Sequence, residues 1–463
     1  MRQQTRKFTA GGIRQAGFPT EESSRSSAGR RSKSVDPPSD TVTPPPSGPR
    51  RSTRLVLLLG ILSGISGLMV LPFTSPEQFM LASDVYRHAA EAMLAGEDFY
   101  AVSPPRLPGY NFIYPPIVIL LFVPHALVGS ALGAYAIQLL LTVAFGLGTT
   151  LVVGRALARR GVALSRIDWL LIGSFTLVSA HSAITLANGQ VTIWMGFAFA
   201  LGFDALDRSR ETVAGVAFAL AALIKVFPAA VGLWLLRRRA WRSVIVATAT
   251  GLGGLALGAV LLGPDVTETY VRDVLLGRYE GETFGGVPEP DQTTGGAQRQ
   301  LAALTGLGSP ALGILALAIV GPAVLALHRR IDTDERRLAA MLGTVLGVLL
   351  VLPLQRLYMP LFAFPLLVLL YTLPSGRGRR LLLLGTLVSS VRVTYDLAAS
   401  TVETMPLPGA LSESLLSLIE MLFVFVLPTT LGLWLLLAGC LLVQFGSEGD
   451  PARSTVILVA VRT

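Results

Sequence analysis

Between Ser83 and Pro124 the chain reads SDVYRHAAEAMLAGEDFYAVSPPRLPGYNFIYPPIVILLFVP. This is the first long polar interruption after the first membrane-length apolar run. It holds Asp84-Val85-Tyr86-Arg87, the pair Glu97-Asp98 followed by Phe99-Tyr100, and Tyr114-Pro115-Pro116 entering another apolar run. A carboxylate such as Asp84 can serve as general base on a hydroxyl group. Later polar residues interrupt apolar sequence in the same way, Asn188 and Gln190, Lys225, then Arg356 and Tyr358, and the long polar loop 264–309 carries Gln292 and Arg299. Cations among these can stabilise a departing phosphate, arginine through paired hydrogen bonds and lysine as a point charge. One carboxylate with several cations and amides suits group transfer from a lipid phosphate.

The elements that position these residues are expected to lie in a membrane. Of 463 residues, 52% are hydrophobic and 14% charged, against about a quarter charged in soluble domains. Several apolar runs reach the roughly 20 residues that cross a bilayer as a helix. The net charge of +9 resides largely in the first 54 residues and in short arginine clusters beside apolar runs. That is how cytoplasmic membrane anchors read, and nucleic-acid binding is not expected. The lone Cys440 makes no intrachain disulfide, and with four scattered histidines it offers no zinc site. No metal or cofactor is expected, and no nucleotide-binding glycine loop is visible.

Residues 1–50, rich in Arg, Ser, Pro and Gly, are expected to be a disordered cytoplasmic tail rather than a signal peptide. Arg50, Arg51 and Arg54 precede the run 55–73 and place the N-terminus inside. Loop 76–112 is then external. Within it, 80–95 reads as a helix capped by Ser83, lying along the outer membrane surface and ended by Gly96. Residues 113–129 either span or, opened by Pro115-Pro116, form a shallow or re-entrant segment, and the charge pattern favours the second. The next run, 132–154, is a full crossing, because Arg155, Arg159, Arg160 and Arg166 follow it. Further spans are expected near 168–186, 191–206, 212–225 with 227–237, 243–262, 310–327, 337–353, 357–373, 380–397 and 419–443. Long outer loops cover 264–309 and 398–416. The total is about twelve spans with both ends cytoplasmic, a transmembrane domain over 51–446 and a tail over 447–463. All the polar residues singled out above then fall at the outer face.

In order and spacing, Asp84/Tyr86, Gly96/Tyr100, Tyr114-Pro115-Pro116, Asn188-Gly189-Gln190, Gly215, Lys225 and Pro228 resemble the GT-C family of polyprenol-phosphate-dependent glycosyltransferases. The likeness is to its alpha-mannosyltransferase-like family 87, and it covers roughly 55–245. The resemblance implies an all-α integral membrane bundle of GT-C type with short interfacial helices. It implies transfer of a hexose, mannose first, from a polyprenyl-phosphate carrier to a lipid or glycan acceptor at the outer face of a prokaryotic cell membrane. The anomeric carbon inverts, and by position Asp84 is the base. Tyr86, Arg87, Tyr114, Asn188, Gln190, Lys225, Gln292, Arg299, Arg356 and Tyr358 are the expected substrate-binding residues. Two departures stand out. Asp291-Gln292-Thr293 replaces a common Asn-Gln-Ser, and Pro353-Leu354-Gln355-Arg356-Leu357-Tyr358 has no histidine where many relatives carry a His-rich turn.

Plainer readings stand beside these. Asp84 can cap or solubilise a surface helix. Lys225 can snorkel to the interface. Asn188-Gly189-Gln190 can be a simple helix–helix turn. Tyr114-Pro115-Pro116 can serve only to fix a segment's entry. The rival functions are a transporter or flippase for lipid-linked sugar, and an inactive scaffold that binds one. Transporters usually place ionisable groups near the midplane of repeated halves, whereas here they gather at one face.

Overall fold

The computed structural model describes residues 48–277, 284–353 and 356–446, and its regular structure there is helical throughout. The expected tails lie outside these residues, apart from Gly48–Arg50. Those three open α1 (Gly48–Thr74), where Pro49 fits a first turn that has no partner for an N–H. Next come α2 (Leu81–Ala95), a 3-10 turn at Pro116–Phe122, α3 (Val123–Leu127) and α4 (Ala131–Arg159). α5 (Arg166–Val178), α6 (Ala183–Asn188), α7 (Thr192–Asp207) and α8 (Glu211–Ile224) follow. A second 3-10 turn at Phe227–Val231 leads through α9 (Gly232–Arg237) to α10 (Trp241–Leu262) and α11 (Pro264–Thr269). Beyond a π-helical stretch at Tyr270–Leu276 lie α12 (Ala297–Thr305), α13 (Ala311–Leu327) and α14 (Asp334–Val351). A third 3-10 turn at Arg356–Phe362 precedes α15 (Ala363–Thr372), α16 (Arg377–Ser389), α17 (Tyr395–Thr404), α18 (Gly409–Phe425) and α19 (Pro428–Phe445).

By length and composition α1, α4, α10 and α19 can cross a membrane. The expectation of twelve full spans meets shorter and broken helices. Pro116–Leu127 reaches only about 21 Å at 3-10 and α-helical rises, short of a ~30 Å hydrocarbon core. The span expected over 168–186 stops at Val178, where Ser179 turns extended. Its cause is α1: the Ala180 N–H donates to the Gly60 carbonyl at 2.9 Å, and a Cβ on Gly64 would overlap the Val178 carbonyl. A buried amide freed by such a break needs a partner, and α1 supplies one.

Two other expectations are corrected near the C-terminus. Helix α16 ends at Ser389 and a separate α17 begins at Tyr395, so 380–397 is not one helix. The run 419–443 divides at Val426, whose backbone is extended, because Pro428 cannot donate to a continuing helix. Much of the expected loop 398–416 is helical in consequence.

Packing centres on aromatic side chains. Phe199, Phe203 and Phe218 meet edge to face across α7 and α8, and Phe364 of α15 stacks on Phe203. The arginine-rich helix ends are tied by ion pairs. Arg54 donates to both oxygens of Asp168 at 2.8 and 2.9 Å, and Arg160 meets Asp207 at 2.6 Å. Asp168 also completes a capping box with Ser165.

Candidate active site

The start of α2 is set from outside the helix. Met80, in the left-handed region at φ 60°, donates its N–H to the Ala187 carbonyl at 2.9 Å. Ser83, expected as the N-cap, instead lies inside the first turn and donates back to the Met80 carbonyl at 3.0 Å. Gly189, at φ +69°, lets the corner between α6 and α7 close over this turn; a Cβ there would stand 2.9 Å from the Ser83 Cβ. Asn188 donates to the backbone and side-chain oxygens of Gln78 at 2.8 and 3.1 Å, holding the preceding turn. The first six residues of helix α2 are buried against the rest of the protein, Asp84 being 2% exposed.

A carboxylate so enclosed stays ionised only if it is paired. Arg87 donates to Oδ1 of Asp84 from Nε at 3.2 Å and Nη2 at 3.0 Å, and its Nη1 meets Glu91 at 2.6 Å. Arg106 donates from Nε to Oδ2 at 2.8 Å. The His88 Nδ1 stands 3.5 Å from Oδ1 and 3.0 Å from the Asp84 carbonyl. Burial pushes the Asp84 carboxyl up, but the hydrogen bonds from Arg106 and Arg87, with the charges of His88 and Arg106, hold it below the ordinary carboxylate range.

The second half of the site lies off another side of α2. The Tyr86 and Tyr114 hydroxyls are 2.7 Å apart, and both reach Oε1 of Gln190, at 3.0 and 3.2 Å. Two phenolic protons thus serve three contacts. Tyr86 stacks on Phe122, and burial, followed by Tyr114 and Tyr358, holds its phenol far above the ordinary range. It is a neutral donor across the physiological range. The Lys225 Nζ donates to the Tyr358 hydroxyl at 2.6 Å and stands 5.3 Å from the centre of the Tyr114 ring. Lys225 itself is extended, at the break after α8.

The loop between the two halves is pinned by aromatic residues. The Tyr100 hydroxyl donates to the Tyr114 carbonyl at 2.7 Å, and Asn111 donates to the Tyr100 carbonyl at 2.8 Å. Phe112 packs against Tyr86, Phe99, Tyr114 and Phe122. An apolar cavity of about 440 Å³ has Val226 and Pro115, the chain neighbours of Lys225 and Tyr114, in its wall. Phe218, Leu252, Leu255 and Tyr270 line the rest.

The expected residues thus divide. Tyr86, Tyr114, Gln190, Lys225 and Tyr358 come together, and Arg87 joins Asp84. Asn188 supports the turn before α2. Arg299, expected among the phosphate cations, is fully buried and has every N–H engaged. It donates to the carbonyls of Glu289, Gln292, Thr294 and Phe423 at 2.6–3.1 Å. Burial pushes its guanidinium down to about 10, opposed by Asp291, so it stays charged while it ties the second long loop to α18. Gln292 contributes its carbonyl to that knot. The Arg356 side chain lies outside the described residues. Arg106 is the residue that sequence reasoning missed; a single arginine in a Pro/Gly-rich turn carries no sign of its partner.

The mycobacterial polyprenol-phosphate-mannose-dependent alpha-(1-2)-phosphatidylinositol pentamannoside mannosyltransferase, from Mycolicibacterium smegmatis, is 25% identical over 354 residues, 74% of this chain and 82% of that protein. The crystal structure of ArnT from Cupriavidus metallidurans bound to undecaprenyl phosphate matches 85% of this chain and 78% of that one at 15% identity, with a TM-score of only 0.34. Residues 112–353, just over half of the chain, match the model of glycosyltransferase family 87, and the chain, a membrane protein whose described regular structure is helical, belongs to that family of sugar-transferring enzymes.

Proposed function

We propose that this enzyme moves a hexose, mannose first, from a polyprenyl-phosphate carrier to a hydroxyl of a lipid or glycan acceptor at the outer face of a prokaryotic cell membrane. The observation that carries the reading is a cation set among tyrosines: the Lys225 Nζ donates to the Tyr358 hydroxyl at 2.6 Å and stands 5.3 Å from the centre of the Tyr114 ring, and the chain neighbours Val226 and Pro115 line an apolar cavity. A cation with an apolar cavity nearby fits an anionic head with a hydrocarbon tail, and the match to a glycosyltransferase family favours transfer over translocation by a lipid-linked-sugar flippase. The polyprenol-phosphate-mannose named for the mycobacterial relative supports mannose as the sugar.

In this reading Asp84 takes the proton of the acceptor hydroxyl as its oxygen attacks the anomeric carbon. The bond from that carbon to the phosphate oxygen breaks on the opposite side, so the centre inverts. Lys225 and the Tyr358 hydroxyl take up the charge that develops on the departing polyprenyl phosphate. Tyr86, Tyr114 and Gln190 hold sugar hydroxyls, and Arg87 keeps the base ionised. Gln292 and Arg299 build the second outer loop rather than touch the donor. The topology that goes with this has about twelve membrane segments, several of them short or broken, with both termini cytoplasmic.

The test is transfer from radiolabelled polyprenyl-phosphate mannose by the purified protein in lipid, with host membrane extract as acceptor. Wild type should transfer label, and Lys225→Met should require far more donor. Absence of transfer from both mannose and glucose carriers would overturn the reading.

A further inference from the structure

The two arginines on Asp84 are attached differently. Arg87 sits one turn along the same helix and is braced by Glu91. Arg106 arrives from the turn around Pro104–Tyr110, reaches Asp84 through Nε alone, and touches little else: its Nη2 stands 3.3 Å from the Phe79 carbonyl. Its side chain is 40% exposed, whereas the carboxylate beneath it is almost wholly enclosed. Oδ1 already receives two N–H groups from Arg87, so a hydroxyl reaches the base by way of Oδ2, the oxygen that Arg106 covers.

We propose that Arg106 is a latch that holds its loop across Asp84 until a bound acceptor displaces it from Oδ2. The inference rests on Asp84 being the base. Its physical sense is selection by binding energy. A large acceptor gains enough contacts to break one half-exposed ion pair, and water does not, so the donor is protected from hydrolysis. Hydrolysis would break the same bond, from anomeric carbon to phosphate oxygen, with water supplying oxygen and proton, and would release free sugar and polyprenyl phosphate. Other groups facing Asp84 do not substitute for the latch. His88 and Arg87 share its helix, Glu91 lies behind Arg87, the Phe79 turn presents a carbonyl, and the Asn188-Gly189-Gln190 corner is neutral.

The experiment compares wild type, Arg106→Gln, Arg106→Lys and Asp84→Asn in lipid with radiolabelled polyprenyl-phosphate mannose and membrane extract, across pH. Arg106→Gln should raise the ratio of released to transferred mannose severalfold and move the acid limb of transfer to higher pH. Arg106→Lys should fall between it and wild type. Rates that fall together, with the ratio and the limb unchanged, overturn the latch alone. Undiminished transfer by Asp84→Asn overturns the base, and the latch with it. A readout free of turnover uses Leu107, 3% exposed beneath the same turn, with the native Cys440 fully buried. Leu107→Cys should react with a maleimide faster when combined with Arg106→Gln than alone, and equal rates overturn the latch.

Discussion

Lys225 and Tyr358 stand 133 positions apart, yet the ammonium of one donates to the hydroxyl of the other at 2.6 Å. Each sits where a helix gives way, Lys225 in extended backbone after α8 and Tyr358 in a 3-10 turn before α15. Two irregular stretches meet there. A charged hydrogen bond contributes about 1.5–3 kcal/mol, so Lys225→Met should raise the donor KM roughly 10- to 100-fold. Tyr358→Phe should raise it less. An unchanged donor KM in Lys225→Met would remove the phosphate from this corner.

Asp84→Asn keeps the shape of the side chain and loses its basicity. Transfer should drop by about 10²- to 10⁴-fold, the usual share of general base catalysis, while elution stays monodisperse. Parallel loss of folding would mean that the ion pairs with Arg87 and Arg106 serve structure first.

The Asp84 carboxyl is held below its ordinary value despite the opposing effect of burial. Its proton is therefore absent throughout the neutral range, and its contribution to stability and activity is present above the unfolded-state value of about 3.9 and lost only as pH falls through the lowered folded value. Transfer should thus show no acid limb between pH 7 and pH 5. A wild-type limb centred near the ordinary histidine value would assign the base role to an imidazole instead.

Arg299 gives the opposite pattern. Its substitution by Met leaves buried carbonyls without donors, at a cost of about 1–3 kcal/mol for each acceptor left dry. Thermal stability should fall markedly, while the donor KM of the remaining folded protein stays as in wild type. A selective rise in donor KM would return Arg299 to the phosphate site.

Gly189 and Gly161 share a left-handed backbone, φ +69° and +74°, but only Gly189 faces a neighbour, the Ser83 Cβ at 2.9 Å. Alanine at either site should cost about 1 kcal/mol for the backbone. Gly189→Ala should cost more and also reduce transfer, because it pushes on the turn that carries Asp84. Thermal unfolding and transfer rates of the pair separate backbone strain from this contact, and equal losses would show that the contact does not matter.

The sequence exposes some of this arrangement and hides the rest for physical reasons. A polar residue between apolar runs is expensive to bury alone, which is why Gln190, Lys225 and Tyr358 stand out and why they meet. Arg299 is one cation within the long polar loop 264–309, and its partners are backbone carbonyls, which no sequence pattern displays. Arg106 is hidden because its value depends on Asp84, 22 positions earlier, across a turn of unspecified shape. The break at Ser179 is hidden because the run around it is apolar on both sides, and the cause lies in α1. The break before α19 was open to view in Pro428.

The seam between α1 and the Ser179 break also bears on how the protein is made. Helix α1 leaves the ribosome long before residues 179–182, so the Gly60 carbonyl and the space above Gly64 are waiting when the interrupted segment arrives. Without that earlier helix the Ala180 amide would lack this acceptor, and a buried amide left unpaired is costly. Fragments that begin after Thr74 should therefore regain the native fold only when α1 is supplied alongside them.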